Sequence, residues 1–148
     1  MHPLASGFIG ATALTALHET ARRIIAEPPR MDIVGMRAIE KLCDVAGCQP
    51  PTSGQLYGIT MAGDVISNGI YYAAVGRGSR AAVWTRGAAL GLAAGIGAVV
   101  LPERLGLGKP PHHERIRTRV LTVAWYVTGA LVAAAAADIS RRDPRQVS

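Results

Sequence analysis

The amino-acid sequence predicts an all-α, polytopic integral membrane protein: four transmembrane helices, with a short amphipathic helix between the first and the second. Three observations carry this. The 148 residues are 49% hydrophobic and 18% charged, which excludes a disordered chain and requires that something be buried. The charges are gathered into clusters that leave long stretches without Asp, Glu, Lys or Arg. Aromatic residues make up only 5% while there are 17 glycines, a mixture that suits closely packed apolar helices better than a water-soluble core. At this length the chain reads as one domain over residues 1–148, which excludes a multidomain enzyme.

A bilayer core about 30 Å thick takes about 20 mostly apolar helical residues, and four stretches match. Residues 1–18 hold none of the four charged types, 45–76 are interrupted only by Asp64, and 87–102 and 120–137 are free of them. Extended to the nearest polar residues, the spans fall at about 4–25, 56–75, 81–101 and 118–138. The first is expected to stay in the mature protein. A cleaved secretory signal places cations ahead of its apolar part, whereas here Arg22 and Arg23 follow it. The third and fourth are apolar around their whole circumference, unlike a helix of a soluble bundle, which shows one polar face.

Between the first two spans, Pro28-Pro29 precedes a segment at 31–46 in which Ile33, Val34, Met36, Ile39, Leu42, Cys43 and Val45 recur at near-helical intervals, with charges on the other face. Gly47 and Pro50-Pro51 close it. Such a helix lies flat at the membrane surface or caps the ends of the spans, and the pattern serves both. The third connection, 105–114, is rich in Gly and Pro and reads as a loop. The sequence shows no internal repeat, heptad run or strand pattern.

Cationic loops tend to remain cytoplasmic. The first and third connections with their flanks hold ten of the 16 Lys and Arg: Arg22, Arg23, Arg30, Arg37, Lys41, Arg104, Lys109, Arg115, Arg117 and Arg119. Six fall on the other side, at Arg77, Arg80, Arg86, Arg141, Arg142 and Arg145. Both termini are therefore expected outside the cytoplasm, in a multi-pass protein of the inner (plasma) membrane. A net charge of +6 invites a nucleic-acid reading. These cations sit at helix ends, where they anchor to anionic headgroups, and no nucleic-acid partner is expected. Cys43 and Cys48 are too few for a disulfide framework, and their spacing departs from that of catalytic dithiols; on the cytoplasmic side they are expected as reduced thiols.

Three apparent motifs fail. His18-Glu19-Thr20-Ala21-Arg22 begins like a zinc-protease helix but has Arg22 where the second His is needed. Gly106-Leu107-Gly108-Lys109 is followed by Pro110 rather than the Ser or Thr of a phosphate-binding loop. His112-His113-Glu114 reads as a solvated pair in a cationic loop. No metal and no cofactor is expected.

Ionisable residues inside the spans are more informative, because a charge near the bilayer centre costs about 3 kcal/mol on insertion scales and turns towards protein or water. Asp64 lies well inside the second span and shares its face with Tyr57, Thr60, Asn68 and Tyr71. Thr12, Thr15, Glu19 and Arg22 or Arg23 make a comparable stripe on the first, with His18 beside it. At 1.5 Å per residue, Glu19 is about 9 Å and Asp64 about 12 Å from the proposed cytoplasmic ends. His18, Glu19 and Asp64 are thus expected in one cluster, near Trp125, Tyr126 and Thr128 of the fourth span. Glu19 has a simpler alternative, pairing with Arg22 or Arg23 on its own helix. Gly87, Gly91 and Gly95 repeat every four residues and form a flat ridge for close helix packing, within the chain or between copies.

The function expected from this pattern is an oligomeric transporter or channel for protons or small ions, with His18, Glu19, Asp64, Asn68 and Tyr126 along the pathway. Four helices leave little room for an internal pore, so a homo-oligomer in the lipid bilayer is the expected partner arrangement. The alternative is a structural or accessory subunit that packs against a larger membrane complex. An enzyme acting on lipid or quinone is the weakest reading, since neither a nucleophile–base pair nor a cofactor motif supports it.

Overall fold

A computed structural model describes residues 2–141 and, among them, contains five helices and no strand. They are α1 (Pro3–Ile24), α2 (Met31–Ala46), α3 (Ser53–Ala73), α4 (Arg80–Arg104) and α5 (Ile116–Arg141), with a 3-10 turn at Ala74–Gly76 after α3. Arg142 and Arg145, counted above on the less cationic side, lie outside the described residues.

Each helix starts or stops where local chemistry dictates. The His2 ring accepts from the Leu4 amide at the head of α1. Gln55 turns back to accept from the Thr52 amide, 3.2 Å away, as the N3 glutamine of a capping box does. Ser79 Oγ accepts from the Ala82 amide and caps α4. α2 ends at Gly47, whose φ of +69° is the left-handed conformation that glycine adopts without a Cβ penalty.

Among the described residues two helices, α4 and α5, are long and apolar enough to cross a membrane; four were expected. α1 and α3 have the length, at 22 and 21 residues. Their polar content is higher: α1 carries His18, Glu19, Arg22 and Arg23, and α3 carries Gln55, Asp64, Ser67 and Asn68 among its glycines.

Close packing links the helices in the order α3, α1, α5, α4, while α3 and α4 do not pack tightly on each other. Small residues make each close contact. A Cβ on Gly7 would collide with the α3 backbone at Gly69 and Ala73, and one on Gly10 would come within 2.5 Å of the Gly129 carbonyl of α5. Between α4 and α5 the closely approaching residues are Gly87, Gly91 and Gly95: a Cβ on Gly91 or Gly95 would stand 2.7 Å from a backbone Cα of α5, at Val127 or Val123. The ridge at 87, 91 and 95 is therefore consumed inside the chain and is not a free surface between copies. The fully buried residues Leu14, Tyr72, Val75, Val83, Ala130, Ala133 and Ala134 form the core beside these contacts.

The outward faces are also apolar. Ile66 and Ile70 of α3 are 51% and 60% exposed, and Leu92 and Ile96 of α4 are about half exposed. The two long connections meet at one end of the molecule: Glu27 accepts from Arg115 at 2.7 Å, and Arg37 and Lys41 of α2 donate to the carbonyls of Leu107, Lys109 and Leu105. At the other end Arg86 and Arg141 hold the short α3–α4 connection through the carbonyls of Ala74, Arg77, Gly76 and Gly78. Beside it Arg80 pairs with the buried Asp138 at 3.1 Å.

Candidate functional site: a carboxylate between two cavities

α1 and α3 run antiparallel and bring Thr15 against Asp64. The Thr15 hydroxyl donates to Asp64 Oδ2 at 2.8 Å, and Asn68 Nδ2, one turn along α3, donates to Oδ1 at 2.9 Å and to the Asp64 carbonyl at 3.0 Å. Both carboxylate oxygens are thus bound by neutral donors. Among the described residues no cation lies within ion-pair distance of Asp64.

Asp64 lines a cavity of about 440 Å3 bounded by α1, α2 and α3. His18, Glu19, Arg22, Asp32, Thr60 and Ser67 contribute its polar wall, and Met31, Ile39, Leu42 and Met61 part of its apolar one. A second cavity of about 540 Å3 opens between α3 and α4, lined by Asn68, Tyr71 and Tyr126 among others. Ser67 lines both. The two cavities therefore adjoin along α3 and the head of α2, with Asp64 lining the first and its partner Asn68 the second.

The five expected pathway residues are distributed as follows. His18, Glu19 and Asp64 line the first cavity; Asn68 and Tyr126 line the second. The His18 ring packs edge-on against Trp125 and Tyr126, with centroids 5.0 and 5.9 Å apart, and among the described residues its buried Nε2 has no hydrogen-bond partner. Glu19 does not reach Asp64. It pairs on its own helix with Arg22 at 2.7 Å, and Arg22 also donates to the Tyr57 hydroxyl at 3.0 Å and lies over the Tyr57 ring. The reason is axial: Thr15, on the same face as Glu19 but one turn deeper, stands at the level of Asp64. Thr12, read as part of the α1 stripe, and Thr128, expected at the depth of the cluster, are exposed, and Thr128 donates to the Ala124 carbonyl of its own helix.

Sequence reasoning missed Asp32 and Arg30. α2 lies against α3, with Gly35 against the Thr60 methyl, and this buries Asp32 in the first turn of the helix. Arg30 grips its carboxylate with both Nε and Nη2, at 2.9 and 2.8 Å, and Arg22 approaches to 3.9 Å. Burial pushes the Asp32 carboxyl up. The Arg30 hydrogen bonds and charge, the Ile33 amide and Arg22 outweigh that and hold it below the usual carboxylate range. The detectable signal was an acidic residue in the first turn after Pro28-Pro29, a position that favours a carboxylate.

A group whose folded pKa is depressed stabilises the fold above its unfolded value, and the contribution fades as pH falls through the folded one. Asp32→Asn is accordingly expected to lower the stability of the detergent-solubilised protein by about 2 kcal/mol at pH 7, the scale of hydrogen bonds to a charged group. The difference from wild type should persist down to about pH 4 and shrink below it, as both forms become neutral. Thermal unfolding at several pH values measures this; a difference independent of pH would refute the ion-pair account.

The remaining motif residues are tied locally. His112 lies 3.9 Å from Glu27, Lys109 pairs with Glu114 at 2.9 Å, and Cys43 and Cys48 are free thiols. Comparison with known protein families, with curated proteins and with solved structures finds no match.

Proposed function

We propose that the chain is a small multi-pass membrane protein in which Asp64 takes up a proton or a small cation and passes it between the two cavities. One observation carries the reading: a carboxylate among apolar helices, held by Thr15 and Asn68 and by no cation among the described residues, lines one cavity while its partner Asn68 lines the adjoining one. Carboxylates placed within a membrane are costly and turn towards a pathway or a partner. Thr15, Asn68 and the cavity supply that setting.

In this reading all four long helices cross the bilayer. The half-exposed isoleucines of α3 and the internal pairing of Thr15, Asp64 and Asn68 support α1 and α3 as spans, since a spanning helix turns its apolar side outward and satisfies its polar groups within the protein. The α2 end, with ten of the cations, faces the cytoplasm of the plasma membrane, and both termini lie outside. The second reading is a subunit of a larger or homo-oligomeric assembly. It is favoured by Gly54, Gly58 and Ala62 on α3, which are exposed at four-residue intervals, with open space around both glycines.

The test is flux. Purified protein in proteoliposomes should dissipate an imposed proton, Na+ or K+ gradient, read with an internal pH-sensitive dye and ion-selective electrodes. If liposomes with and without the protein are indistinguishable for all three ions, the transport reading is rejected. Recovery of a stoichiometric protein partner in mild detergent would then favour the subunit reading.

A further inference from the structure

The cavity between α3 and α4 has a shape and a rim of its own. Because those two helices do not pack tightly, a cleft runs between them, with Ala94, Gly97, Ala98 and Leu101 on its α4 wall and Met31 and Val34 of α2 beside it. At the end nearest α2 it is closed by Leu105 and Leu107 of the α4–α5 loop. Two cations of α2 bind the backbone of this stretch. Lys41 Nζ donates to the Leu105 carbonyl at 2.6 Å, and Arg37 Nη1 donates to the carbonyls of Leu107 and Lys109 at 3.1 and 3.0 Å. Glycines let the loop come this close: Gly106 and Gly108 both adopt φ of +69°, and a Cβ on Gly106 would stand 2.8 Å from Lys41 Nζ. Among the described residues neither cation is ion-paired with a carboxylate.

We propose that this cleft is a binding site for an anionic phospholipid, whose phosphate sits between Arg37 and Lys41 and one of whose acyl chains lies in the groove between α3 and α4. The charge is complementary and the donors are in supply. An ammonium carries three N–H groups and a guanidinium five, so both residues keep donors beyond those given to the loop. Basic pockets between membrane helices on the cytoplasmic side recognise such headgroups. The apolar wall does the rest, since a groove facing lipid is filled by acyl chain rather than water. The loop carbonyls hold the two cations in place before the lipid arrives, which reduces the ordering cost of binding. The inference rests on the membrane placement proposed above and is independent of ion transport.

The experiment is vesicle flotation followed by lipid titration of the detergent-solubilised full chain, with dioleoylphosphatidylglycerol, dioleoylphosphatidylcholine and inorganic phosphate as probes. Binding is read by native mass spectrometry as lipid adducts. Phosphatidylglycerol should be retained about twenty-fivefold more tightly than phosphatidylcholine, a factor of about five for each cation. Arg37→Ala combined with Lys41→Ala should abolish that preference. Gly97→Phe, which fills the groove at a position whose added Cβ meets only the Leu101 side chain at 3.4 Å, should weaken adduct formation although both cations remain. Circular dichroism checks that each variant is folded, and Gly97→Leu is the milder substitute should the phenylalanine variant fail.

Equal retention of the two lipids overturns the proposal. So does a Gly97 variant that binds as wild type does, which would reduce the site to surface attraction, or inorganic phosphate that competes as well as the lipid does. A chain that stays in the aqueous fraction on flotation removes the membrane placement itself, a failure distinct from loss of lipid preference.

Discussion

Replacing Gly91 by leucine is expected to destroy the α4–α5 pairing and to have the largest structural effect of any single substitution in α4. Its obstacle is backbone. The first added carbon would already stand 2.7 Å from Val127 Cα and 3.1 Å from the Tyr126 carbonyl, with the Ala130 methyl at 2.9 Å. A flexible side chain can swing away, whereas a helix backbone yields only by moving the whole helix. Overpacking a core costs about 1–3 kcal/mol where side chains can adjust; here the upper end is the minimum expected. The dependence reaches further, because α5 also seats α1 through Gly10 and Gly129. The Gly91→Leu protein should lose its monodisperse elution in detergent or unfold well below wild type. Gly58→Ala is the control. Nothing lies within 4 Å of a Cβ at Gly58, and alanine in a helix interior is favoured over glycine by about 1 kcal/mol. Gly58→Ala should therefore be neutral or stabilising. Equal effects from the two substitutions would show that helix propensity, and not close approach, governs these positions.

The second large effect is functional: Asp64→Asn should reduce ion flux to that of protein-free liposomes while the protein still folds and inserts. The asparagine keeps the shape of the site. Its carbonyl oxygen can accept from Asn68, and its amide can donate to the Thr15 hydroxyl, which serves as acceptor as readily as donor. Stability should therefore change by no more than about 1 kcal/mol, the net worth of an ordinary hydrogen bond. What disappears is the negative charge that receives the ion. Asp64→Glu keeps the charge and displaces it by one methylene, so partial flux is expected. Undiminished transport by a folded Asp64→Asn protein would remove Asp64 from the pathway and with it the proposed role.

Much of this architecture was legible along the chain. The helix at Met31–Ala46 coincides with the periodic segment at 31–46, and the other four begin and end within about three residues of the expected spans. The signals were strong because each helix is bounded by chemistry that ends helices or caps them: Pro28-Pro29, Gly47, the Thr52 and Gln55 pair, and Ser79. The number of helices apolar enough to cross a membrane was overstated. Counting only Asp, Glu, Lys and Arg passes over the hydroxyl, amide and glycine content of α1 and α3, which is what lowers their apolarity.

The candidate site was legible only in outline. Asp64, Asn68 and Thr15 stood out as polar residues on apolar helices, and His18 and Tyr126 fell at matching depth. Which residues meet was decided by the axial register between neighbouring helices. A difference of one turn hands Asp64 to Thr15 and leaves Glu19 to Arg22. The burial of Asp32 was not readable at all, because it depends on α2 folding back over α3, a contact between residues far apart in sequence.

Periodicity and composition are properties of a segment and its neighbours along the chain, and they suffice to say where helices run, which side of each is smooth, and how deep a charge lies. They contain no information about which helix stands alongside. The three-dimensional packing made that choice: it set Gly87, Gly91 and Gly95 against α5 rather than against another copy, and drew α2 and the α4–α5 loop together through Arg37 and Lys41. It also left α3 and α4 apart, with Asp64 lining one cavity and Asn68 the adjoining one. Close approach of backbones is selective because only a few pairs of small-residue faces can interlock without collision, and that selection exists only once all the helices are present together.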